Sequence, residues 1–240
     1  MKRDLQEPAT LMLLGMHRSG TSVVTGLLGL CGARVGDQKE LTGAGQENPK
    51  GFFERRDIRN ICDGLLFSAG ADWWKVSDFQ ASMVPDEALA ELGPEFGHIV
   101  NGLKAHGPCV IKEPRLCLLF PLLHEFVEFP VIVHTLRNPV EIAKSLRTRN
   151  NFAISQGLAL WEFYIRRALA ASSAFPRVFI SYEKLVSDPA AETRGLLERL
   201  QAQNVTGLAY SDAVVDFVSD RLHRETAASE EMNYALDEDQ

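Results

Sequence analysis

Hydrophobic positions along this chain fall into two kinds of run. Four are short, apolar and rich in branched or aliphatic side chains: residues 11–14, 109–111, 131–136 and 178–180. Such runs suit parallel strands buried on both faces, because the alternation of a half-buried strand is lost when neither face meets water. The second kind repeats every three to four residues, the spacing of an amphipathic helix. It predicts helices over 21–31, 55–68, 86–105, 116–126, 140–149, 157–174, 190–203 and 212–222. Within 157–174, Leu158, Trp161, Ile165, Leu169 and Ser172 share one face, with Glu162 and Arg166 opposite, so the first set is expected to pack on the core. Strands separated by helices predict βαβ units, and so an α/β architecture.

Two helix starts are marked by chemistry as well as by period. Asn138-Pro139 and Asp188-Pro189 each put a capping side chain ahead of a proline suited to the first helical turn. Residues 41–51, rich in glycine, are expected to form a long loop, and loops of that length in a compact domain are usually functional. The acidic residues 229–240 have little to bury and are expected to fray. No repeat or interdomain linker is visible, so residues 1–240 are read as a single domain, and 45% hydrophobic residues suffice for one core.

Charge and cysteine content narrow the function. A formal net charge of −7 argues against nucleic acid or an anionic membrane as partner, so any anion site must be local. No apolar run approaches the roughly 20 residues needed to span a bilayer, and the first ten residues lack a signal-like stretch, so a cytoplasmic location is expected. Cys31, Cys62, Cys109 and Cys117 stand apart in apolar segments and read as buried thiols; with the histidines dispersed, no metal site is expected.

Two segments have the form of anion sites. In LMLLGMHRSGTS an apolar strand runs into a turn bounded by Gly15 and Gly20, and Thr21-Ser22 then open a helix. Backbone N–H groups at such a turn, with the helix dipole behind them, cradle phosphate. The spacing is that of a P-loop, but Thr21 stands where a nucleotide triphosphatase has its lysine, and Arg18 is the strong cation inside the loop. The bland alternative is a plain glycine turn. In VIVHTLRNPVEIAKSLRTR, Arg137 leaves a strand beside a capped helix N-terminus, placed to grip a phosphate bidentately, with Ser145 eight positions on. Here the alternative is a surface arginine and a solvated serine.

Arg18-Ser19-Gly20-Thr21 resembles the 5′-phosphosulfate loop of sulfotransferases that use 3′-phosphoadenosine 5′-phosphosulfate (PAPS), and Arg137 with Ser145 resembles the family's 3′-phosphate pair. The form GMHRSGTS is similar to the bacterial, carbohydrate- or tyrosyl-type branch, as are ENPKGFFE at 47–54, IKEPRL at 111–116 and ISYEKL at 180–185. The resemblance covers residues 10 to about 190. It implies a P-loop-type, mostly parallel sheet of about five strands with helices on both faces. It also implies PAPS as co-substrate, adenosine 3′,5′-bisphosphate as product and no metal. Cofactor-binding residues would be His17, Arg18, Ser19, Gly20, Thr21, Ser22, Arg137, Ser145 and Tyr182. The chain lacks the RKG motif of the small-molecule enzymes, and Arg221 and Arg224 are the weak substitutes.

For the chemistry, the resemblance implies Arg18 on the phosphosulfate and Lys112 near the sulfuryl group, against the bland reading of Lys112 as a solvated partner of Glu113. The base for the acceptor hydroxyl is expected in the loop: Glu54, which Phe52 and Phe53 would desolvate, or Glu47. His17 either shapes the turn or serves as base. Trp73, Trp74 and Phe79 form an aromatic cluster suited to a sugar ring or to packing. The acceptor is expected to be a small molecule or a carbohydrate. Two other readings stay open: a P-loop kinase, with Glu113 or Glu183 holding Mg²⁺, and a nucleotide-binding module without activity.

Overall fold

The computed structural model describes residues 8–42 and 53–219. Four strands, β1 (Thr10–Leu14), β2 (Cys109–Lys112), β3 (Val131–Leu136) and β4 (Arg177–Ser181), form one parallel sheet in the order β2-β1-β3-β4. Registers are continuous, with Met12 beside Ile111 on one side and Ile132 on the other. β1, β2 and nearly all of β3 are buried throughout, as the unbroken apolar runs require. β4 lies at the edge and alternates, burying Val178 and Ile180 while Arg177 and Phe179 face out.

Among the described residues the sheet has four strands rather than about five. At the β2 edge the fifth place is taken by a single parallel bridge between Arg34 and Cys109. Arg34 N–H donates to Pro108 O and Arg34 O accepts from Val110 N–H, but turns at Gly32 and Gly36 keep the pairing from extending.

Helices cover both faces. Met12, Leu14, Ile111 and Ile132 pack against α2 (Arg56–Ser68), α3 (Asp86–Lys104), α4 (Leu116–Leu123), α5 (Pro139–Asn150) and α6 (Ile154–Ala171). Leu11, Leu13, Val110, Val133, Val178 and Ile180 pack against α1 (Thr21–Leu30), α7 (Tyr182–Ser187), α8 (Pro189–Ala202) and a C-terminal helical segment at 213–219. All four cysteines are free and buried. No helix among the described residues is long and apolar enough to cross a membrane.

Both expected caps form: Asn138 Oδ1 accepts from Val140 N–H and Asp188 Oδ1 from Ala191 N–H, each 2.9 Å. The predicted 116–126 helix gives way to a 3-10 turn at His124–Phe126. The buried face of α6 is not the expected one. Gly157, Leu160, Tyr164 and Ala168 are buried, while Leu158, Trp161, Ile165 and Leu169 flank them half-buried. Small residues carry part of that face because α5 lies close: a Cβ on Gly157 would stand 2.9 Å from the Ala143 Cα.

The chain visits β2 on one side of β1 and then β3 on the other. Ligand crevices in open α/β sheets lie beyond the strand C-termini at such a reversal. Here that point falls between the loop after Leu14 and the loop after Leu136.

Candidate functional site

The loop after β1 is a tight turn in which Ser19 N–H donates to Met16 O at 3.1 Å and Arg18 takes a left-handed φ of 69°. Gly20, with φ 87°, fits where no other residue does, because a Cβ there would stand 2.3 Å from the Tyr182 ring. Val23 and Val24 N–H close back on Gly20 O, so the amides that open α1 face the turn. The first turn of α1 carries no acidic side chain to occupy them. Ser19 Oγ and His17 Nε2 are buried without a hydrogen-bond partner, polar atoms that call for a ligand or water.

The second anion segment meets the first directly. Arg18 Nε–H donates to Ser145 Oγ at 2.7 Å, across 127 residues of sequence. Arg137 Nη1–H donates to Arg18 O at 2.9 Å, and its guanidinium lies 4.3 Å over the Tyr182 ring. Arg18, Gly20, Arg137, Ser145 and Tyr182 therefore form one seat. Glu183 is occupied next to it, accepting from Asn138 N–H at 2.6 Å and Ser181 Oγ–H at 3.0 Å. Partial burial works to raise the Glu183 pKa, but those donors and the Arg137 charge bring it below the ordinary range.

Lys112, at the end of β2, is buried and ion-paired with Glu54, and it donates to Ser22 Oγ at 3.3 Å. The bland alternative of a solvated Lys112 paired with Glu113 therefore does not hold. Glu113 is fully buried and accepts from Arg115 Nη1–H at 2.6 Å, while Arg115 Nε reaches Asp63 at 2.6 Å. Desolvation, followed by the nearby Glu54 carboxylate, raises the Glu113 pKa. For Arg115, burial opposes the charge, but Glu113 and Asp63 outweigh it and hold the guanidinium protonated.

His17 senses this arrangement as a whole. Burial lowers its pKa well below the usual imidazole value, and Arg115, Arg149, Lys112 and Arg18 each lower it further. A neutral imidazole ringed by four cations marks a local positive potential on an acidic protein. The ring packs against Trp73 at 4.7 Å. Trp73 stacks on Phe152 at 5.8 Å, Trp74 tilts against Phe152 at 5.7 Å, and the Arg149 guanidinium stands 5.6 Å from the Trp73 ring centre. Phe152 thus holds the place expected of Phe79, which is buried in the core.

A family model described as the sulfotransferase family matches residues 9–205. The chain belongs to the sulfotransferase family. No curated protein matches this sulfotransferase. Among solved structures it is similar in fold to the sulfotransferase STF1 of Mycobacterium tuberculosis H37Rv, at 18% identity and TM-score 0.52 over 90% of this chain and 72% of that one. It is similar also to the sulfotransferase domain of the Synechococcus PCC 7002 olefin synthase, at 15% identity and TM-score 0.53 over 90% and 80%. A third, STF9 of Mycobacterium avium, aligns at 15% identity and TM-score 0.51 over 92% and 69%.

Of the residues expected to work in this sulfotransferase, Glu47, Arg221 and Arg224 lie outside the described residues. Phe52 lies outside them as well, and Phe79 is in the core; the other candidates stand around the turn after β1 and the ends of β2 and β3. Arg115, Asp63, Arg149 and Phe152 were not singled out by the sequence. Only the Pro-Arg that follows Lys112-Glu113 hinted at a buried charge network, and nothing in 149–152 announced an aromatic wall.

Proposed function

We propose that this sulfotransferase binds PAPS in the crevice between β1 and β3 and transfers its sulfuryl group to an acceptor hydroxyl. The observation that carries this reading is the Arg18–Ser145 hydrogen bond at 2.7 Å, with Arg137 bonded to the Arg18 carbonyl. It makes one continuous seat of two strand-loop-helix anion sites, as a donor with phosphates at its 5′ and 3′ ends needs. The fit is supported by the unpartnered Ser19 Oγ in the turn that would hold the 5′ end. Arg137, Ser145 and Tyr182 would hold the 3′ end.

Bound there, PAPS supplies the activated sulfur–oxygen bond. Glu54 accepts the proton of the acceptor hydroxyl as its oxygen bonds to sulfur. Lys112, between Glu54 and Ser22, stabilises the charge that develops as the bridging sulfur–oxygen bond breaks and adenosine 3′,5′-bisphosphate departs with the electron pair. Arg18 and the α1 amides hold the phosphate of that leaving group in line. His17, kept neutral by burial, shapes the turn. Glu47 is the alternative base. The acceptor is a small molecule or a carbohydrate, whose ring would meet Trp73 and Trp74.

Against a kinase reading, Glu113 is engaged by Arg115, and Glu183 by Asn138 and Ser181. Titration calorimetry in EDTA tests the proposal. Adenosine 3′,5′-bisphosphate should bind with the metal removed, since cations and helix N-termini take the place of Mg²⁺. Tight binding of ATP–Mg²⁺ without binding of the bisphosphate would favour the kinase instead.

A further inference from the structure

The C-terminal helical segment reaches the site through one aromatic contact. Phe217 meets Phe53 edge to face, with ring centres 6.3 Å apart and planes at 71°. Phe53 immediately precedes Glu54 and takes a left-handed φ of 53°, a conformation costly for a bulky residue unless its surroundings hold it. The tip of the Phe217 ring also reaches Gly26 of α1, where a Cβ would stand 2.3 Å from Cζ. Glycine is disfavoured in a helix interior, so its presence at that spot matches a seat shaped for the ring. Val214 and Val218 are buried on either side and root the segment in the core. Glu54 O in turn accepts from Thr42 N–H at 2.7 Å, and Leu41 bridges Arg55, so the ends of the loop are tied where Glu54 turns toward Lys112.

From this geometry we infer that Phe217 is a positioning residue for the reaction. Seated on Gly26, it clamps Phe53 in its left-handed conformation and so aims the Glu54 carboxylate at Lys112. The inference rests on Glu54 being the base. It gives the C-terminal segment a part in catalysis although it contributes no group to the anion seat.

Phe217→Ala and Gly26→Ala attack the clamp from opposite sides. The second deletes nothing and favours the helix, yet its methyl displaces the ring. Both should lower kcat by roughly tenfold or more, because a small misplacement of a reacting group is costly, while the dissociation constant of adenosine 3′,5′-bisphosphate stays within about threefold. Hydrogen exchange at the Thr42 amide should quicken in both variants. The double variant should be no slower than Phe217→Ala alone, since without the ring the new methyl has nothing to displace. Unchanged exchange and turnover in Gly26→Ala would overturn the inference. So would faster exchange with full turnover, and Glu54→Gln then says which idea fell: if inactive, the clamp alone is wrong, and if active, the base assignment is wrong as well.

Discussion

Arg137 combines roles that a solvated surface arginine does not have. It ties down the turn after β1 through the Arg18 carbonyl and stands over the Tyr182 ring, while the start of α5 opens next to it behind the Asn138 cap. A planar guanidinium held on both sides loses little freedom when it grips a phosphate, and each charge-assisted hydrogen bond is stronger than a neutral one. Changing Arg137 to Ala should therefore weaken adenosine 3′,5′-bisphosphate by about 2–3 kcal/mol. Adenosine 5′-phosphosulfate, which lacks the 3′-phosphate, should lose far less. Calorimetry on the pair of ligands separates recognition from support, because an arginine that only held the Arg18 turn would cost both ligands equally. The same residue shows what a sequence can disclose. Its place after an apolar strand and before Asn-Pro marked it as a candidate anion ligand, whereas its bond to the Arg18 carbonyl spans 119 residues and leaves no local trace.

Among the elements, α5 and α6 show how packing sets the site. Ser145 is carried by α5, and α5 lies close against α6 through the approach of Ala143 to Gly157. Alanine is favoured over glycine in a helix interior by about 1 kcal/mol, but here the added methyl meets backbone that cannot yield without moving the helix. Gly157→Ala should destabilise the protein by about 1–3 kcal/mol in urea unfolding and also weaken the bisphosphate, as Ser145 draws away from Arg18. Gain of stability with unchanged affinity would mean the two helices are free to separate. This contact also explains why the face of α6 was misjudged. Its buried side includes Gly157 and Ala168, which carry no hydrophobic signal, while Leu158 and Trp161 beside them do. The strands were legible because burial on both faces forces an unbroken apolar run, and the caps because Asn-Pro and Asp-Pro have one local meaning. α7 was missed for the opposite reason: six residues capped by Ser181 are too short to show a period. The pairing of Lys112 with Glu54 was likewise hidden, since it depends on how the chain returns to the end of β2.

For the whole molecule, an acidic composition coexists with a positive crevice because Arg18, Lys112, Arg115 and Arg149 gather around His17, and the buried histidines make stability respond to pH. His134 lies inside the sheet with Nε2 2.8 Å from Ser172 Oγ and its ring stacked on Phe179 at 5.1 Å. Because the Ser172 hydroxyl donates to Ala168 O, the His134 Nε2–H donates to Ser172. Burial, with a contribution from the Arg177 charge, lowers its pKa from 6.5 to about 4. The unfolded chain takes up a proton on this group as pH falls through 6.5, whereas the native protein does so only near 4. Stability from the neutral ring is therefore complete above about pH 6.5 and is lost as pH falls through that window. Between pH 7 and 5 the loss should be about 2 kcal/mol from this residue. His17 acts in the same direction, while Asp63 and Glu113, whose pKa values are raised, act in the opposite one, so the wild-type curve alone is ambiguous. The His134→Gln variant isolates the term, since the amide can still donate to Ser172 but cannot titrate. Urea unfolding of both proteins at pH 7 and pH 5 should show a smaller acid loss in the variant, and parallel losses would mean that the proton enters elsewhere.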